Sequence, residues 1–205
     1  STACAPSGGL NFICGLQAAE DLVLVPNTRW LIASGMMAGS GLHLIDTQAK
    51  AARNLFSSDV SSARADKKRF GGCPGPLDPK LAVLHGLSLR PAEAGRYTLY
   101  ATNHGGRESV EVFEVDAHRA APSAVWIGCV VLPDKLAANS VAVFGDGAVV
   151  VTVLMLPGKT FDDLMSGRNT GIVLMWTPGS KDFRRLPGTE LSGNNGVETS
   201  ADGRE

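Results

Sequence analysis

Residues 139 to 154 read Asn139-Ser-Val-Ala-Val-Phe-Gly-Asp-Gly-Ala-Val-Val-Val-Thr-Val-Leu. Two apolar runs flank the dipeptide Asp146-Gly147, which is a strong short-range signal for a tight β-hairpin. A polar residue, Asn139, stands at the start of the first run. The stretch therefore predicts a strand–turn–strand unit that begins with a polar side chain.

Similar units begin at three other places in the chain. Their lead residues are Glu20, His85 and Asn195, so that the successive lead residues lie 65, 54 and 56 positions apart. Repeats of that length, built from short strands with turn residues between them, are typical of a β-propeller, in which each repeat is one blade. We therefore predict an all-β fold of the β-propeller class. A β-sandwich is the alternative, but it does not explain why a polar residue returns at each first strand.

The turn signals divide the repeats into blades. We expect a single partial propeller domain over residues 1–205, with blade one at about 20–56, blade two at about 84–130, blade three at about 139–187 and the start of a fourth blade at 195–205. Closed propellers typically have about four to eight blades. About three blades and a stub are therefore expected to be part of a larger propeller.

Two segments interrupt this pattern. The polar stretch 57–80 has no apolar period, which predicts a surface loop. An insertion at 156–169 contains Phe161-Asp-Asp-Leu-Met, which we expect to form one helical turn. Its apolar side chains could shape a pocket or contact a membrane or a partner, and the sequence leaves these alternatives open.

The composition argues against several partners. The chain has 19 basic and 20 acidic residues and no long run of one charge, so nucleic acid is not an expected partner. No stretch of about 18 uninterrupted apolar residues is present, so we expect no transmembrane segment. Unpaired strand edges at the ends of an open propeller would favour self-association.

The four cysteines show no Cys-x-x-Cys spacing, which argues against a zinc site made of thiolates. Cys14 precedes the first unit and Cys73 precedes the second. A disulfide between Cys14 and Cys73 would tie together the loops that lead into adjacent blades, and it would imply an oxidising compartment, so that the protein is secreted or periplasmic. Buried free thiols are the alternative.

The lead residues are expected to meet at the propeller axis, because the first strand of every blade lines the central channel. Glu20, Asn139 and Asn195 would bring one carboxylate and two amide oxygens to that place. Such hard oxygen ligands suit Ca²⁺ better than zinc or copper. Taken singly, each residue also has an ordinary explanation, such as a turn at Asn195-Gly or an exposed Glu20-Asp pair.

Two histidines are candidates for proton transfer. His85 leads the second unit and His104 ends the following strand, so the hairpin would place them side by side at one mouth of the channel. A neutral imidazole near a metal-bound ester can act as a general base on water. The alternative is that His85 caps a strand and His104 lies in a solvated turn. His43 and His118 lack this placement and are given no role.

The chain resembles the paraoxonase/arylesterase family and the wider gluconolactonase-like, regucalcin-type group of six-bladed propellers. The resemblance covers the chain from about position 15 onwards and rests on short motifs in the same order: His85-Gly-Leu-Ser, Asn103-His followed by Ser109-Val-Glu-Val-Phe, Asn139-Ser-Val-Ala-Val and Asn195-Gly-Val-Glu-Thr-Ser-Ala-Asp-Gly. It implies that this chain corresponds to the N-terminal portion of a six-bladed propeller.

The resemblance also implies a calcium site. The ligands of a catalytic calcium would be Glu20, Asn139 and Asn195. A second, structural calcium would be held by Asp21 and by the backbone carbonyl of Leu87. Ser140 departs from the family, which has an aspartate at this place, and a hydroxyl is a weaker ligand than a carboxylate.

The activity implied by the resemblance is calcium-dependent hydrolysis of a lactone or aryl ester at the channel mouth. Ca²⁺ would polarise the substrate carbonyl. His85 would take a proton from the attacking water, and His104 would orient His85 or relay the proton. Two other functions are compatible with the fold: a non-catalytic propeller that binds a ligand or protein, and a strictosidine-synthase-like enzyme that needs no calcium set.

Overall fold

The computed structural model describes residues 4–59, 61–200 and 202–205. Within these residues the chain forms twelve strands in three four-stranded antiparallel sheets, and one short helix. The sheets follow one another along the chain, and in each sheet the strands are paired in chain order. This arrangement confirms the predicted all-β fold of the propeller class. We call each sheet a blade below, and the number of blades in the whole propeller stays a prediction.

The strands have the following bounds. Blade one consists of β1 (Ala19–Leu24), β2 (Trp30–Gly35), β3 (Leu42–Asp46) and β4 (Ala51–Phe56). Blade two consists of β5 (Leu84–Pro91), β6 (Arg96–Asn103), β7 (Ser109–Asp116) and β8 (Ser123–Val131). Blade three consists of β9 (Val141–Val143), β10 (Val149–Val153), β11 (Ile172–Trp176) and β12 (Arg184–Arg185). The hairpin predicted at Asp146-Gly147 is confirmed, because β9 and β10 pair across it.

The first strands of the blades lie next to one another, β1 beside β5 and β5 beside β9. Buried apolar side chains fill the space between adjacent blades in two clusters. Blade two contributes to both: Phe113 packs toward blade one, whereas its neighbour Val112 packs toward blade three. Because both faces of this blade are covered, successive residues of β6 and β7 are buried on both sides of the sheet, polar ones such as Thr102 and Glu111 included.

The polar stretch at 57–80 is more than a surface loop. Its Ala63 forms a parallel bridge to Trp126, and the Arg64 N–H donates to the Trp126 carbonyl at 2.8 Å, which covers the outer edge of blade two. Phe70 is buried beside Gly128, where a Cβ atom would lie 2.3 Å from the Phe70 ring. Most of the stretch is exposed, as predicted, and so are Ala63 and Arg64, whereas Phe70 is buried. The prediction missed Phe70 because a single anchoring side chain leaves no periodic pattern.

The cysteines are paired as Cys4–Cys14 and Cys73–Cys129. The predicted Cys14–Cys73 disulfide is therefore wrong, and so is the alternative of free thiols. Cys14 is bonded within the N-terminal segment, whereas Cys73 faces β8, with its Cα atom 5.1 Å from that of Cys129. Two cysteine pairs at disulfide distance indicate an oxidising, extracellular environment.

The insertion in blade three forms α1 (Phe161–Met165), which confirms the predicted helical turn. Thr160 caps it in a reciprocal capping box with Asp163. Phe161 and Met165 are exposed to solvent. No helix among the described residues is both long and apolar enough to cross a membrane.

The segment that begins at Asn195 forms no strand in the part of the chain that the structure describes. It lies beside β9, and the Gly145 N–H donates to the Gly203 carbonyl at 2.8 Å. Residues 195–200 and 202–205 thus have isolated backbone contacts and no ladder with a partner strand, and the start of a fourth blade at 195–205 stays a prediction.

Candidate functional site

A cavity of about 570 Å³ lies at the N-terminal ends of the first strands. It is lined by three segments that lead into or form first strands and by the segment after Asn195. The candidate residues among its lining are Glu20, Asp21, His85, Leu87, Asn139, Ser140 and Asn195. The fold thus brings the four lead residues to one place, whereas their roles stay predictions.

A buried hydroxyl on β6 fixes the position of two lead residues. The Oγ1 atom of Thr102 accepts a hydrogen bond from the Gly86 N–H at 2.8 Å and donates to the Asn139 carbonyl at 3.3 Å. Gly86 has no side chain because a Cβ atom there would lie 2.7 Å from the same carbonyl oxygen. Thr102 therefore joins the start of β5 to the segment before β9.

The same device recurs in the other blades. The Oγ1 atom of Thr152 accepts from the Ser140 N–H at 3.1 Å and donates to the Asn195 carbonyl. In blade one the Oγ atom of Ser34 accepts from the Asp21 N–H at 2.9 Å. Sequence reasoning missed these hydroxyl groups, although their signal is a Ser or Thr in the apolar second strand, 13 to 17 positions after the lead residues Glu20, His85 and Asn139.

His85 and His104 belong to a line of four side chains. The Nδ1 atom of His85 lies 3.1 Å from the Nε2 atom of His104, and the Nδ1 atom of His104 lies 2.9 Å from the Oε2 atom of Glu108. At the cavity end the Nε2 atom of His85 lies 3.2 Å from the Oε2 atom of Glu20. Sequence reasoning placed the two histidines side by side but missed Glu108.

This line of contacts determines the tautomers of the neutral rings. A carboxylate only accepts hydrogen bonds, so His104 carries its proton on Nδ1. Its Nε2 atom then accepts the Nδ1 proton of His85, which leaves Nε2 of His85 as the basic nitrogen on the cavity side. The contact with Glu20 becomes a hydrogen bond only when the carboxyl group or the His85 ring carries a further proton.

The oxygen donors at the cavity have few protein partners. In the part of the chain that the structure describes, Asn139 and Asn195 contact the hydroxyl groups through their backbone carbonyls, and their amide side chains make no hydrogen bond. No group of three His, Cys, Asp or Glu side chains that could hold a metal occurs among the described residues. A cation would therefore depend on the amide oxygens, with Glu20 as a carboxylate ligand.

These three donors fit Ca²⁺ by their chemistry, since it prefers carboxylate and amide oxygens, and they would supply part of a shell of about six to eight ligands. Asp21, the ligand predicted for a second calcium, already accepts a backbone N–H on each carboxylate oxygen and keeps one lone pair on each, so its role as a ligand stays a prediction. Its Oδ2 atom accepts from the Leu87 N–H at 2.7 Å, and its Oδ1 atom accepts from the Leu22 N–H at 2.7 Å. Leu87 thus contacts Asp21 through its N–H. The role predicted for the Leu87 carbonyl, as a ligand of a structural calcium, stays a prediction.

No family model and no curated protein matches the sequence. One similar solved structure is the crystal structure of a protein from Thermus thermophilus that is described as an oxidoreductase (glucose dehydrogenase). The two chains share 16% sequence identity, with a TM-score of 0.45, over 85% of this chain and 46% of the other. This chain spans about half the length of that structure. The fold assignment rests on the three sheets themselves.

Proposed function

We propose that the chain forms part of a calcium-dependent hydrolase of the lactonase or arylesterase type, with the histidine pair at the mouth of a propeller channel. The observation that carries the proposal is the His85–His104 hydrogen bond at the edge of a cavity lined by Glu20, Asn139 and Asn195. A base and a set of hard oxygen ligands in one cavity are the groups that metal-assisted ester hydrolysis requires. The two disulfides favour a secreted or periplasmic protein.

The cavity is large enough to hold a small substrate. Its volume of about 570 Å³ lies in the range of small-molecule sites. A lactone or aryl ester would lie with its carbonyl group toward Glu20, Asn139 and Asn195, the residues that would hold Ca²⁺. The ion, when bound, polarises a carbonyl group as a Lewis acid.

The histidines supply the base. Nε2 of His85 accepts a proton from the attacking water, whose oxygen bonds to the carbonyl carbon while the carbonyl π electrons move to the carbonyl oxygen. When the carbonyl re-forms, the ester C–O bond breaks, and the leaving alkoxide or phenoxide takes up the proton that the histidine pair holds. As His85 gains that proton, its Nδ1 proton can pass to Nε2 of His104, 3.1 Å away. His85 is buried and His104 is partly exposed, so the positive charge moves away from the cavity toward solvent.

Replacing the base tests this proposal. In the full chain, His85→Ala should lower kcat for an aryl ester or lactone by about 10²- to 10⁴-fold, the usual contribution of a general base. Ca²⁺ binding should survive, because His85 is outside the proposed ligand set. His118→Gln is the matched control, since that ring is exposed and bonds Asp116 outside the cavity.

Two outcomes would contradict the proposal. Unchanged turnover in His85→Ala would assign the proton transfer to a different base, whereas ligand binding without any turnover in the wild type would indicate a propeller that uses this cavity for binding alone. Full turnover after removal of calcium would favour an activity of the strictosidine-synthase-like kind, which needs no calcium set.

A further inference from the structure

Glu108 lies at the outer end of the line formed by His85 and His104. Its Oε2 atom is 2.9 Å from Nδ1 of His104. The exposed fractions of the three side chains increase along the line, from 9% for His85 to 20% for His104 and 36% for Glu108. The line is therefore buried at His85 and reaches solvent both at Glu108 and, at the cavity end, at Glu20.

The loop that carries Glu108 is fixed by a buried network. The Nδ2 atom of Asn103 donates to the Arg107 carbonyl at 2.7 Å, and the Arg107 guanidinium donates to both carboxylate oxygens of Glu111 at 2.8 and 2.9 Å. The Trp126 indole N–H donates to Glu111 at 2.6 Å. Because the residue before Glu108 is anchored in this way, Glu108 is held in reach of His104.

We propose that Glu108 is a positioning residue that sets the tautomer of His104 and, through it, the basic nitrogen of His85. This inference rests on the proposed function for its consequence in turnover, but the tautomer itself is independent of any substrate. When the proton of the attacking water reaches His85, the Nδ1 proton of His85 moves to His104. The Glu108 carboxylate then lies beside an imidazolium, which it stabilises as a charge-assisted hydrogen-bond acceptor.

Two substitutions separate the acceptor from the charge. Glu108→Gln keeps a carbonyl oxygen that can accept the Nδ1–H of His104, whereas Glu108→Leu removes the acceptor altogether. Glu114→Leu is the matched control, because Glu114 lies on β7, is partly exposed and pairs with Arg64 away from the cavity. All three variants retain Arg107 and Glu111, which anchor the loop that carries Glu108.

The decisive readout is the ¹⁵N spectrum of the His104 ring in the full chain, which distinguishes the two neutral tautomers. We expect Nδ1-protonated His104 in the wild type and in Glu108→Gln, and a mixture of tautomers in Glu108→Leu. Unchanged ring signals in Glu108→Leu, with Glu114→Leu as reference, would overturn the assignment.

Turnover provides the second readout. Glu108→Leu should lower kcat on the order of 10- to 100-fold with little change in KM, the range found for outer-shell partners that orient metal-bound histidines, and Glu108→Gln should lie between Glu108→Leu and the wild type. Wild-type kcat in Glu108→Leu would overturn the relay. A wild-type protein without lactonase or esterase activity would overturn the proposed function alone, because the ¹⁵N result still decides whether Glu108 positions His104.

Discussion

His85, His104 and Glu108 all belong to blade two, whereas Glu20, Asn139 and Asn195 come from three different segments of the chain. The histidines are joined to each other and to Glu108 by hydrogen bonds within one blade. The oxygen donors depend on how neighbouring blades are placed. Contacts within blade two therefore position the histidine pair, whereas contacts between blades position the oxygen donors Glu20, Asn139 and Asn195.

The largest effect on stability should come from the disulfide of blade two. Cys73 and Cys129 are 56 positions apart, and breaking a closed loop of that length should cost about 4 kcal/mol in the free energy of unfolding. The double variant Cys73→Ser, Cys129→Ser should show this loss in chemical denaturation. Because the disulfide ties a loop to the blade that carries the histidines, we expect the His85–His104 contact to loosen with it.

The N-terminal disulfide provides the control for this experiment. Cys4 and Cys14 close a loop over only 10 positions and touch neither histidine. Replacing this pair by serines should cost less stability. An equal or larger loss of stability for the N-terminal pair would contradict the prediction that the Cys73–Cys129 disulfide contributes more to the free energy of unfolding.

The buried hydroxyl groups should have the next largest effect, on the oxygen half of the site. Thr152→Val leaves the Ser140 N–H and the Asn195 carbonyl without their partner, which should cost about 1 to 3 kcal/mol. Calcium affinity should also fall, because Asn195 loses its link to blade three. The ¹⁵N signals of the histidine pair should stay as they are.

A matched control for Thr152 is Thr47→Val, at an exposed turn. Denaturation and calcium titration on both variants check the prediction. If Thr152→Val both lowers the calcium affinity and shifts the ¹⁵N signals of the histidine pair, then the histidines and the oxygen donors are not positioned independently.

The smallest effect concerns His43, a histidine of blade one outside the site. It is 1% exposed, its Nδ1 atom has no hydrogen-bond partner among the residues that the structure describes, and burial lowers its pKa below the ordinary value of 6.5. The folded state therefore favours the neutral ring, so the unfolded chain binds more protons as the pH falls below 6.5. Stability should decrease in that window by at most about 1.4 kcal/mol per pH unit.

Denaturation curves between about pH 7 and about pH 5, two values on either side of the ordinary histidine pKa, check this prediction. His43→Leu should flatten the dependence, whereas His118→Gln should keep it. A dependence that survives in His43→Leu would assign the titration to another group.

The features predicted from sequence were those with a local chemical signal. The Asp146-Gly147 hairpin follows from turn chemistry, and the polar lead residues Glu20, His85 and Asn139 are visible because each precedes a stretch rich in apolar residues. The pairing of Cys73 with Cys129 carries no such signal, because it depends on how the 57–80 segment folds back over β8. Glu108 was missed for a similar reason. Its contact with His104 depends on how the loop between β6 and β7 turns, and the spacing of the two residues in the sequence does not indicate that contact.

The most direct test of the account is a calcium titration, followed by calorimetry or terbium luminescence, of the chain and of its variants Glu20→Gln and His85→Gln. Three protein oxygens are fewer than the roughly six to eight ligands that Ca²⁺ takes, so we expect weak binding by the chain itself. Glu20→Gln should lower the calcium affinity at least about tenfold, because the loss of a direct carboxylate ligand should cost no less than the loss of an outer-shell partner. His85→Gln should leave the affinity unchanged. Loss of binding in His85→Gln, with binding retained in Glu20→Gln, would contradict the division of the site into a histidine base and an oxygen-ligated calcium.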